Sequence, residues 1–405
     1  MVSKVSFSLA DSSLKSKLDL AVEALKSSKG ESIVVAGSNN GGVQVLVNAI
    51  NEKLGNYDSK VIDIEKEVYT RKGNDLTFKN LSDQMNSGEI NALIVVGLNA
   101  SFVAPSSFKF NEGLSKVPTV VYTGDRIDET GSKANYLAPS SHYLESWDVL
   151  NPSKGEYAFT QPVIAPLFKT RQWQESLLTW SGNTSSYGDF VKGTAKTFLG
   201  SEAAWIDALH DGFKSISIDK VSKPVHDETS EKIDSTENIV EDVVSSGINS
   251  SLIGNAVKQA TAKSNGWELE LYVKTGMGNG DQAFNPWLHE LPDPISKMTY
   301  DNYISMNPDD VMELFEKENT KDNRRNFLYI GQESPAKLAK ITVNGVSMTL
   351  PIVPQPGQAV GAISIAVGYG RQGTEVFTRE EWLGDLYNSN DNTKNTIGQN
   401  VFPLT

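Results

Sequence analysis

The first third of the chain alternates short apolar runs with segments whose apolar residues recur at helical spacing. Four runs that we interpret as strands occupy residues 32–37, 59–64, 91–98 and 118–125. Between the first two runs, apolar side chains follow at helical intervals from Val43 to Leu54. Strands buried on both faces of a parallel sheet are short and apolar, and their alternation with amphipathic helices is typical of an α/β fold. Residues 1–150 are therefore predicted to form a Rossmann-like α/β domain with a doubly wound parallel sheet.

The remainder of the chain has a different pattern. Apolar and polar residues alternate in WELELYVK (267–274), as expected of a strand with one buried face. Asn344-Gly345 lies between two further alternating stretches, which is the strongest short-range indication of a β-hairpin. We predict a C-terminal β-barrel domain over residues 265–405, preceded by a helical connector and polar linker over residues 151–264.

Acidic residues outnumber basic ones, with 50 Asp and Glu against 37 Lys and Arg and a net charge of -13. Such a charge repels the phosphates of nucleic acids and the headgroups of anionic lipids. No apolar stretch reaches the roughly 18 residues that a membrane-spanning helix needs. We therefore expect no nucleic acid partner and no direct membrane span.

The sequence contains no cysteine, so the chain cannot supply a thiolate zinc site, an ordinary iron–sulfur cluster or a cysteine nucleophile. His289-Glu290 is followed by Leu-Pro-Asp-Pro, which breaks the helix that a zinc-binding H-E-x-x-H motif requires. The motifs G-x-S-x-G and G-x-x-x-x-G-K-[ST] are absent. We predict no catalytic residues and no metal ligands in this chain.

Two turns that follow predicted strands have the character of ligand-binding loops. The turn GSNNGG (37–42) separates a strand from a helix, where free backbone N–H groups and the helix dipole can hold an anion. Its alternative is a glycine-rich tight turn. The charged turn that begins at Asp125 follows the fourth strand at the carboxyl edge of the sheet, where ligands of open α/β sheets bind. Its alternative is a solvated, charged turn.

The segment from Asp125 to Asp148 (DRIDETGSKANYLAPSSHYLESWD) carries the pattern E-T-x-x-x-A-x-x-x-x-P after a strand-ending acidic turn. It resembles the molybdopterin oxidoreductase family of the dimethyl sulfoxide reductase type. Three other segments resemble, more specifically, the molybdopterin-like subunits of the quinol-oxidising alternative complex III, namely residues 161–175, 284–302 and 350–371.

The resemblance implies that residues 1–150 correspond to the third domain of that fold and residues 265–405 to its molybdopterin dinucleotide-binding-like barrel. It also implies that the guanosine end of molybdopterin guanine dinucleotide lies, in active relatives, against positions that are here Gly37, Ser38, Asn39, Gly97, Asn99 and Asp125. Asp125 would accept hydrogen bonds from the guanine ring. Because the alternative complex III subunit resembles a member that has lost the cofactor, we expect these positions to be vestigial and this chain to hold no cofactor.

The function implied by the resemblance is that of a non-catalytic structural fragment of a respiratory quinol-oxidising, electron-transfer subunit. Its expected partners are other domains and subunits of a membrane-associated respiratory complex, including an iron–sulfur domain. Since the family is exported by a variant twin-arginine signal, a periplasmic location is expected. Two alternatives stay open: a fragment of an active molybdopterin-dependent oxidoreductase that binds the guanine dinucleotide together with missing domains, and a free-standing nucleotide-binding protein.

A loop between Gly276 and Asp301 gathers apolar and aromatic side chains, Trp287 among them, in an otherwise acidic chain. Such a cluster either pins the loop to its own domain or anchors a partner. The sequence favours internal pinning, because a long ordered loop needs packing of its own.

Overall fold

The computed structural model describes residues 12–70, 73–216, 250–261, 266–317, 337–374 and 396–405. The chain divides into two compact units. The first unit comprises residues 1–72, 149–160 and 192–263, and the second comprises residues 73–148, 161–191 and 264–405. The domain boundaries inferred from the sequence stay predictions. Within the described ranges, no helix is long and apolar enough to cross a membrane.

Helices and strands are numbered along the described part of the chain. The helices are α1 (Ser12–Ser27), α2 (Gly41–Lys53), α3 (Asp75–Ser87), α4 (Ala100–Val103), α5 (Phe110–Leu114), α6 (Trp173–Trp180), α7 (Tyr187–Leu199), α8 (Glu202–Asp211), α9 (Ser250–Ala260), α10 (Pro286–Glu290) and α11 (Pro308–Lys317). The strands are β1 (Ala92–Val95), β2 (Thr119–Tyr122), β3 (Tyr136–Leu137), β4 (Asp148–Ser153), β5 (Glu156–Thr160), β6 (Phe213–Ser215), β7 (Glu268–Tyr272), β8 (Ile304–Met306), β9 (Leu338–Val343), β10 (Val346–Pro354) and β11 (Ala362–Ala366).

Two features organise the first unit. Helix α2 packs closely on α9, which forms within the predicted polar linker, whereas linker residues 217–249 and 262–265 lie outside the described residues. Strands β4, β5 and β6 form a three-stranded sheet in that order. This sheet packs on α8, and the rings of Phe159 and Trp205 meet edge to face with centroids 5.4 Å apart.

The strands predicted at residues 32–37 and 59–64 are not formed, and this expectation is wrong. The N–H of Val34 donates to Oδ1 of Asn51 at 2.9 Å, and its carbonyl accepts from Nδ2 of the same residue at 2.8 Å. The α2 side chain therefore takes both backbone groups that a neighbouring strand would use. The second segment bends back, since the N–H of Ile62 donates to the carbonyl of Asn56, just beyond the end of α2.

The second unit contains a parallel sheet of β1, β2 and β3, which confirms strands within residues 91–98 and 118–125. Val95 of β1 lies opposite Tyr122 of β2, so both strands end at the same edge. Helices α3, α4 and α5 cover the sheet through an apolar core that consists of Met85, Ala100, Ala104, Phe110, Leu114, Val117 and Val120.

The same unit contains a five-stranded mixed sheet in the order β7-β11-β8-β10-β9. The predicted hairpin is confirmed, because β9 and β10 pair antiparallel across Asn344 and Gly345, both of which have positive φ. The expected β-barrel is not observed: in the described residues the sheet is open, with β7 and β9 as its two edges. Helix α11 contributes Val311 and Phe315 to the sheet's core, so a helix covers the apolar face that a barrel would enclose.

Candidate functional site

The carboxyl edge of β1 and β2 brings together three of the residues singled out from the sequence. Beyond the last strand pair, the N–H of Thr123 donates to the carbonyl of Val95 at 3.1 Å, so the two following turns start side by side. Gly97, with φ of 60°, and Asn99 lie on the turn after β1, and Asp125 lies on the turn after β2. Gly37, Ser38 and Asn39 belong to the first unit.

Asn99 is buried and bonds to the E-T pair of the sequence motif. Its Nδ2 donates to Oε2 of Glu129 at 2.6 Å, and its Oδ1 accepts from the hydroxyl of Thr130 at 2.8 Å. The same hydroxyl oxygen accepts from the N–H of Ser101 at the start of α4. The polar groups of Asn99 and Thr130 are thus used to hold the β1 turn against the β2 turn.

The carboxylate of Asp128 holds the turn after β2 in place through hydrogen bonds to the turn's backbone and to Tyr122. Its Oδ1 accepts from the N–H groups of Thr130 at 3.0 Å and Gly131 at 2.8 Å, and its Oδ2 accepts from the Tyr122 hydroxyl at 2.5 Å. Burial, together with this bond to the Asp128 carboxylate, raises the pKa of Tyr122 far above its ordinary value. Tyr122 therefore stays neutral and remains the donor at any physiological pH.

Arg371 joins the two turns to the loop after β11. The guanidinium is buried, its Nε donates to Oε2 of Glu129 at 3.0 Å, and its Nη1 donates to the carbonyl of Gly280 at 2.7 Å. Nη2 lies 3.8 Å from Oδ2 of Asp128. The guanidinium carbon lies over the ring of Phe102, 5.0 Å from the ring centroid. These contacts satisfy a buried cation with charge, hydrogen bonds and an aromatic face.

We call this set the Arg371 network, and its members are Asn99, Tyr122, Asp128, Glu129, Thr130 and Arg371. Its two carboxylates and one guanidinium are all buried. A buried ion pair stabilises only when further hydrogen bonds satisfy both partners, and here they do. The network is therefore a rigid polar cross-link between distant parts of the second unit.

Asp125 lies outside this network and is largely exposed. Its Oδ1 accepts from Nε of Arg126 at 3.0 Å and its Oδ2 accepts from Nη2 of Arg126 at 2.8 Å, a bidentate pair. The hydrogen bonds from Arg126 lower the pKa of Asp125, although partial burial opposes them. The Arg126 head also lies over the Phe284 ring, 4.6 Å from its centroid.

The GSNNGG turn in the first unit has an equally local set of partners. The side chain of Asn40 caps α2 by accepting from the N–H of Val43 at 3.2 Å, and Gln44 Nε2 donates to the carbonyl of Ser38 at 2.5 Å. Nδ2 of Asn40 also donates to the carbonyl of Gln259 in α9, at 3.3 Å. Gly42, one of the turn's glycines, lies so close to α9 that there is no room for a side chain at this position. The capping bond and the close helix contact explain Asn40 and Gly42, whereas the structure shows no steric requirement for glycine at positions 37 and 41.

The sequence did not identify Tyr122, Asp128, Glu129, Thr130 or Arg371 individually as site residues. Glu129 and Thr130 lie in the E-T motif, but the sequence pattern assigned no role to either residue. Arg371 follows Glu129 by 242 residues, and no periodicity in the sequence connects them. Among the side chains that the structure describes, no group of three or more His, Asp or Glu is placed to hold a metal ion.

Comparisons with known proteins find similarity both in sequence and in structure. No family model matches the chain. The chain is 30% identical over 131 residues to the menaquinone reductase, molybdopterin-binding-like subunit, of Nitratidesulfovibrio vulgaris. That match covers 30% of this chain and 18% of the relative, so it spans less than a fifth of the relative's length. Acetylene hydratase from Pelobacter acetylenicus superposes with a TM-score of 0.46 and 13% identity, covering 71% of this chain and 39% of that one.

The matched relative is named as a molybdopterin-binding-like subunit. The donor groups present here can be compared with what a guanine dinucleotide requires. Both oxygens of Asp125 accept from Arg126, and both polar groups of Asn99 are bonded to Glu129 and Thr130. Asn99, which is buried with both polar groups bonded inside the chain, therefore does not fit the guanine end of the cofactor, and the exposed Asp125 reaches it only if Arg126 moves aside.

Proposed function

We propose that the chain is a non-catalytic, structural part of a molybdopterin oxidoreductase-like subunit that works in a membrane-associated respiratory complex. The similarity to a molybdopterin-binding-like subunit of a menaquinone reductase supports the family and the kind of complex. The specific assignment to a quinol-oxidising complex of the alternative complex III type follows the resemblance of residues 161–175, 284–302 and 350–371. In this role the chain contributes a folded scaffold and no catalytic site.

One observation carries the proposal: the polar side chains at the carboxyl edge of β1 and β2 bond to one another. A functional cofactor-binding site has hydrogen-bond donors and acceptors that are free to bind the ligand. Here Asn99, Glu129 and Arg371 form a closed set. Such a set suits a scaffold, because it holds three chain segments in one arrangement without a ligand.

The charges of the Arg371 network also support a non-catalytic role. The buried network contains two carboxylates and one guanidinium, so a phosphate or pyrophosphate placed beside it would meet like charge. Active relatives would bring the redox chemistry with molybdopterin guanine dinucleotide. In this chain we assign no residue to a step of that chemistry.

The partners in this proposal are the other domains and subunits of the complex, including an iron–sulfur domain, and the location is the periplasm. The absence of cysteine supports the assignment of the clusters to another part of the complex. A structural subunit of this kind would position those neighbours relative to the membrane.

The test is the molybdenum and pterin content of the intact native complex, measured alongside its quinol oxidation. We expect quinol oxidation with neither molybdenum nor pterin bound to this subunit. About one molybdenum per subunit would overturn the proposal and favour an active molybdopterin oxidoreductase. In parallel, Glu129→Gln should lower the yield of assembled complex, whereas the exposed control Asp83→Asn should leave it unchanged.

A further inference from the structure

Residues 32–36 form an extended segment in the first unit, and one edge of this segment already has hydrogen-bond partners. The exposure of its side chains alternates: Ile33 and Val35 are 51% and 76% exposed, whereas Val34 between them is partly buried. This period of two is that of an extended chain. The N–H and the carbonyl of Val34 both bond to the side-chain amide of Asn51, at 2.9 and 2.8 Å.

Asn51 holds the extended segment in place. Its side chain is 2% exposed, and its Oδ1 also accepts from Nδ2 of Asn56 at 2.9 Å. The amide of Asn51 gives Val34 the same pair of hydrogen bonds that a residue of a neighbouring strand would give. The backbone therefore has the conformation of a strand before any second strand is present, and this order lowers the entropy cost of pairing.

The opposite edge of the segment is free. In an extended chain, consecutive residues direct their N–H and carbonyl groups to opposite edges, so those of Ile33 and Val35 point away from Asn51. Among the residues that the structure describes, none forms a hydrogen bond with these backbone groups. The β-branched side chains of the same two residues are exposed to solvent. The segment thus offers unpaired donors, unpaired acceptors and apolar surface at the same two positions.

We propose that residues 32–36 pair antiparallel with the same residues of a second copy of the chain. About a twofold axis at Val34, Ile33 lies opposite Val35 of the second copy, and Val35 lies opposite Ile33 of the second copy. Each of these pairs exchanges both of its N–H···O bonds, so every free group obtains a partner. This inference goes beyond the proposed function, because it gives a partner to a surface of the first unit that the scaffold argument does not use.

The side chains favour a second copy as the partner. The register brings Ile33 and Val35 side by side across the two strands, and such β-branched pairs stabilise sheets. Beyond them, Glu31 falls opposite Gly37 of the second copy, so no like charges face one another there. The segment SIVVAG (32–37) also lacks the charged residues and prolines with which proteins block unpaired strand edges. It is therefore complementary to itself in hydrogen bonds, in side chains and in charge.

The experiment measures the dimer dissociation constant of the full chain by sedimentation equilibrium, in the parent and in two double variants. In Ile33→Lys/Val35→Glu, each lysine lies opposite a glutamate of the second copy. In Ile33→Lys/Val35→Lys, each lysine lies opposite another lysine, so this variant should associate about tenfold more weakly than the first. It also has the smaller net negative charge, which by itself would favour association, so a weaker dimer reports on the local pairs.

The control is Ile206→Lys, which introduces a lysine at a position of α8 that is 58% exposed. Because α8 takes no part in the proposed pairing, this variant should dimerise like the parent. A loss of association as large as that of Ile33→Lys/Val35→Lys would overturn the inference.

Hydrogen exchange provides a second measurement, which needs no substitution. The amides of Ile33 and Val35 should exchange more slowly as the concentration of the parent rises, whereas the amide of Val34 should be protected at every concentration, because it donates to Asn51 within one copy.

The inference is overturned if the parent stays monomeric up to about 1 mM, since pairing weaker than that leaves the edge free. It is also overturned if the two double variants associate equally, or if exchange at Ile33 and Val35 does not depend on concentration. Each of these results leaves the molybdenum content of the complex, and so the proposed function, as a separate question.

Discussion

Nε of Arg371 lies 3.0 Å from Oε2 of Glu129, and both side chains are almost entirely removed from solvent. The pair joins the turn after β2 to the loop after β11, so it connects the parallel sheet to the five-stranded sheet within the second unit. Asn99 and Gln372 bond to the same Glu129 carboxylate. This carboxylate is the point on which the network depends.

Glu129→Gln should therefore destabilise the second unit strongly. The substitution leaves the Arg371 guanidinium buried without its main countercharge, and breaking a buried pair costs about 3–5 kcal/mol. Asp83→Asn is the control, since it removes an exposed partner of Lys79 and should cost less than about 1 kcal/mol. Urea unfolding compares the two, and equal losses would contradict a structural role for the network.

Gly42→Ala should weaken the contact between α2 and α9. The added Cβ would meet the Ala256 carbonyl oxygen at 2.5 Å, so the helices must move apart, at a cost of about 1–3 kcal/mol. Gly41→Ala is a control in the same helical turn, because no atom lies within 4 Å of the position of its Cβ. Hydrogen exchange of α9 amides should accelerate only in Gly42→Ala; the same rate in both variants would argue against the close packing.

The second unit should lose stability on mild acidification through His289. Burial lowers the pKa of this histidine, and its Nε2 donates to the carbonyl of Ala283 at 2.7 Å in the neutral form. Below its ordinary pKa of about 6.5 the unfolded chain binds a proton that the folded chain resists, so stability falls as pH drops from that value toward the lowered folded pKa.

His289→Gln, which keeps a donor for Ala283, should reduce the loss of stability between pH 7.5 and pH 5, as measured by urea midpoints. The control is His210→Gln, which removes an exposed imidazole and leaves the contact with Ala283 intact. A pH dependence that survives unaltered in His289→Gln would assign the loss to other groups.

In the loop between Gly276 and Asp301, alanine substitutions of Met277 and Trp287 should lower the stability of the protein by very different amounts. Met277 is 1% exposed and packs against Tyr369 and Ile397, so Met277→Ala should cost about 2–5 kcal/mol. Trp287 is 79% exposed, so Trp287→Ala should change stability by less than about 1 kcal/mol. Thermal melting of both variants checks this, and a large drop for Trp287→Ala would mean that its ring is buried in solution.

That contrast refines the sequence-based hypothesis that the loop is pinned internally. Leu288 and Tyr300 do pack against the core that contains Met277, as pinning requires. Trp287, the largest side chain of the loop, instead points to solvent. The sequence shows that the loop is apolar, but which of its side chains face inward depends on the path of the backbone.

Local features of the fold could be predicted because their causes are local. Helix α2 forms where apolar residues recur at helical spacing from Val43 to Leu54, and the side chain of Asn40 caps its first turn. Asn344-Gly345 forms the turn of the β9–β10 hairpin, where both residues adopt positive φ. In each case a few adjacent residues determine the backbone.

The predicted first strand shows where local reasoning ends. SIVVAG has the composition of a buried strand, yet Val35 is 76% exposed and Val34 bonds to the side chain of Asn51. A strand exists only if a second strand offers it hydrogen bonds, and composition does not say whether one is available.

The sequence by itself determined the chain's acidity, its lack of thiolate chemistry, helix α2 and the hairpin at Asn344-Gly345. It also placed Gly97, Asn99 and Asp125 at the ends of neighbouring strands. Only the tertiary structure decided what these residues contact: Asn99 bonds to Glu129, Asp125 bonds to Arg126, and Arg371 meets Glu129 across 242 residues. The physical reason is that a hydrogen bond or ion pair depends on distances of about 3 Å between atoms, which residues far apart in the chain reach only after the packing of the whole unit is set.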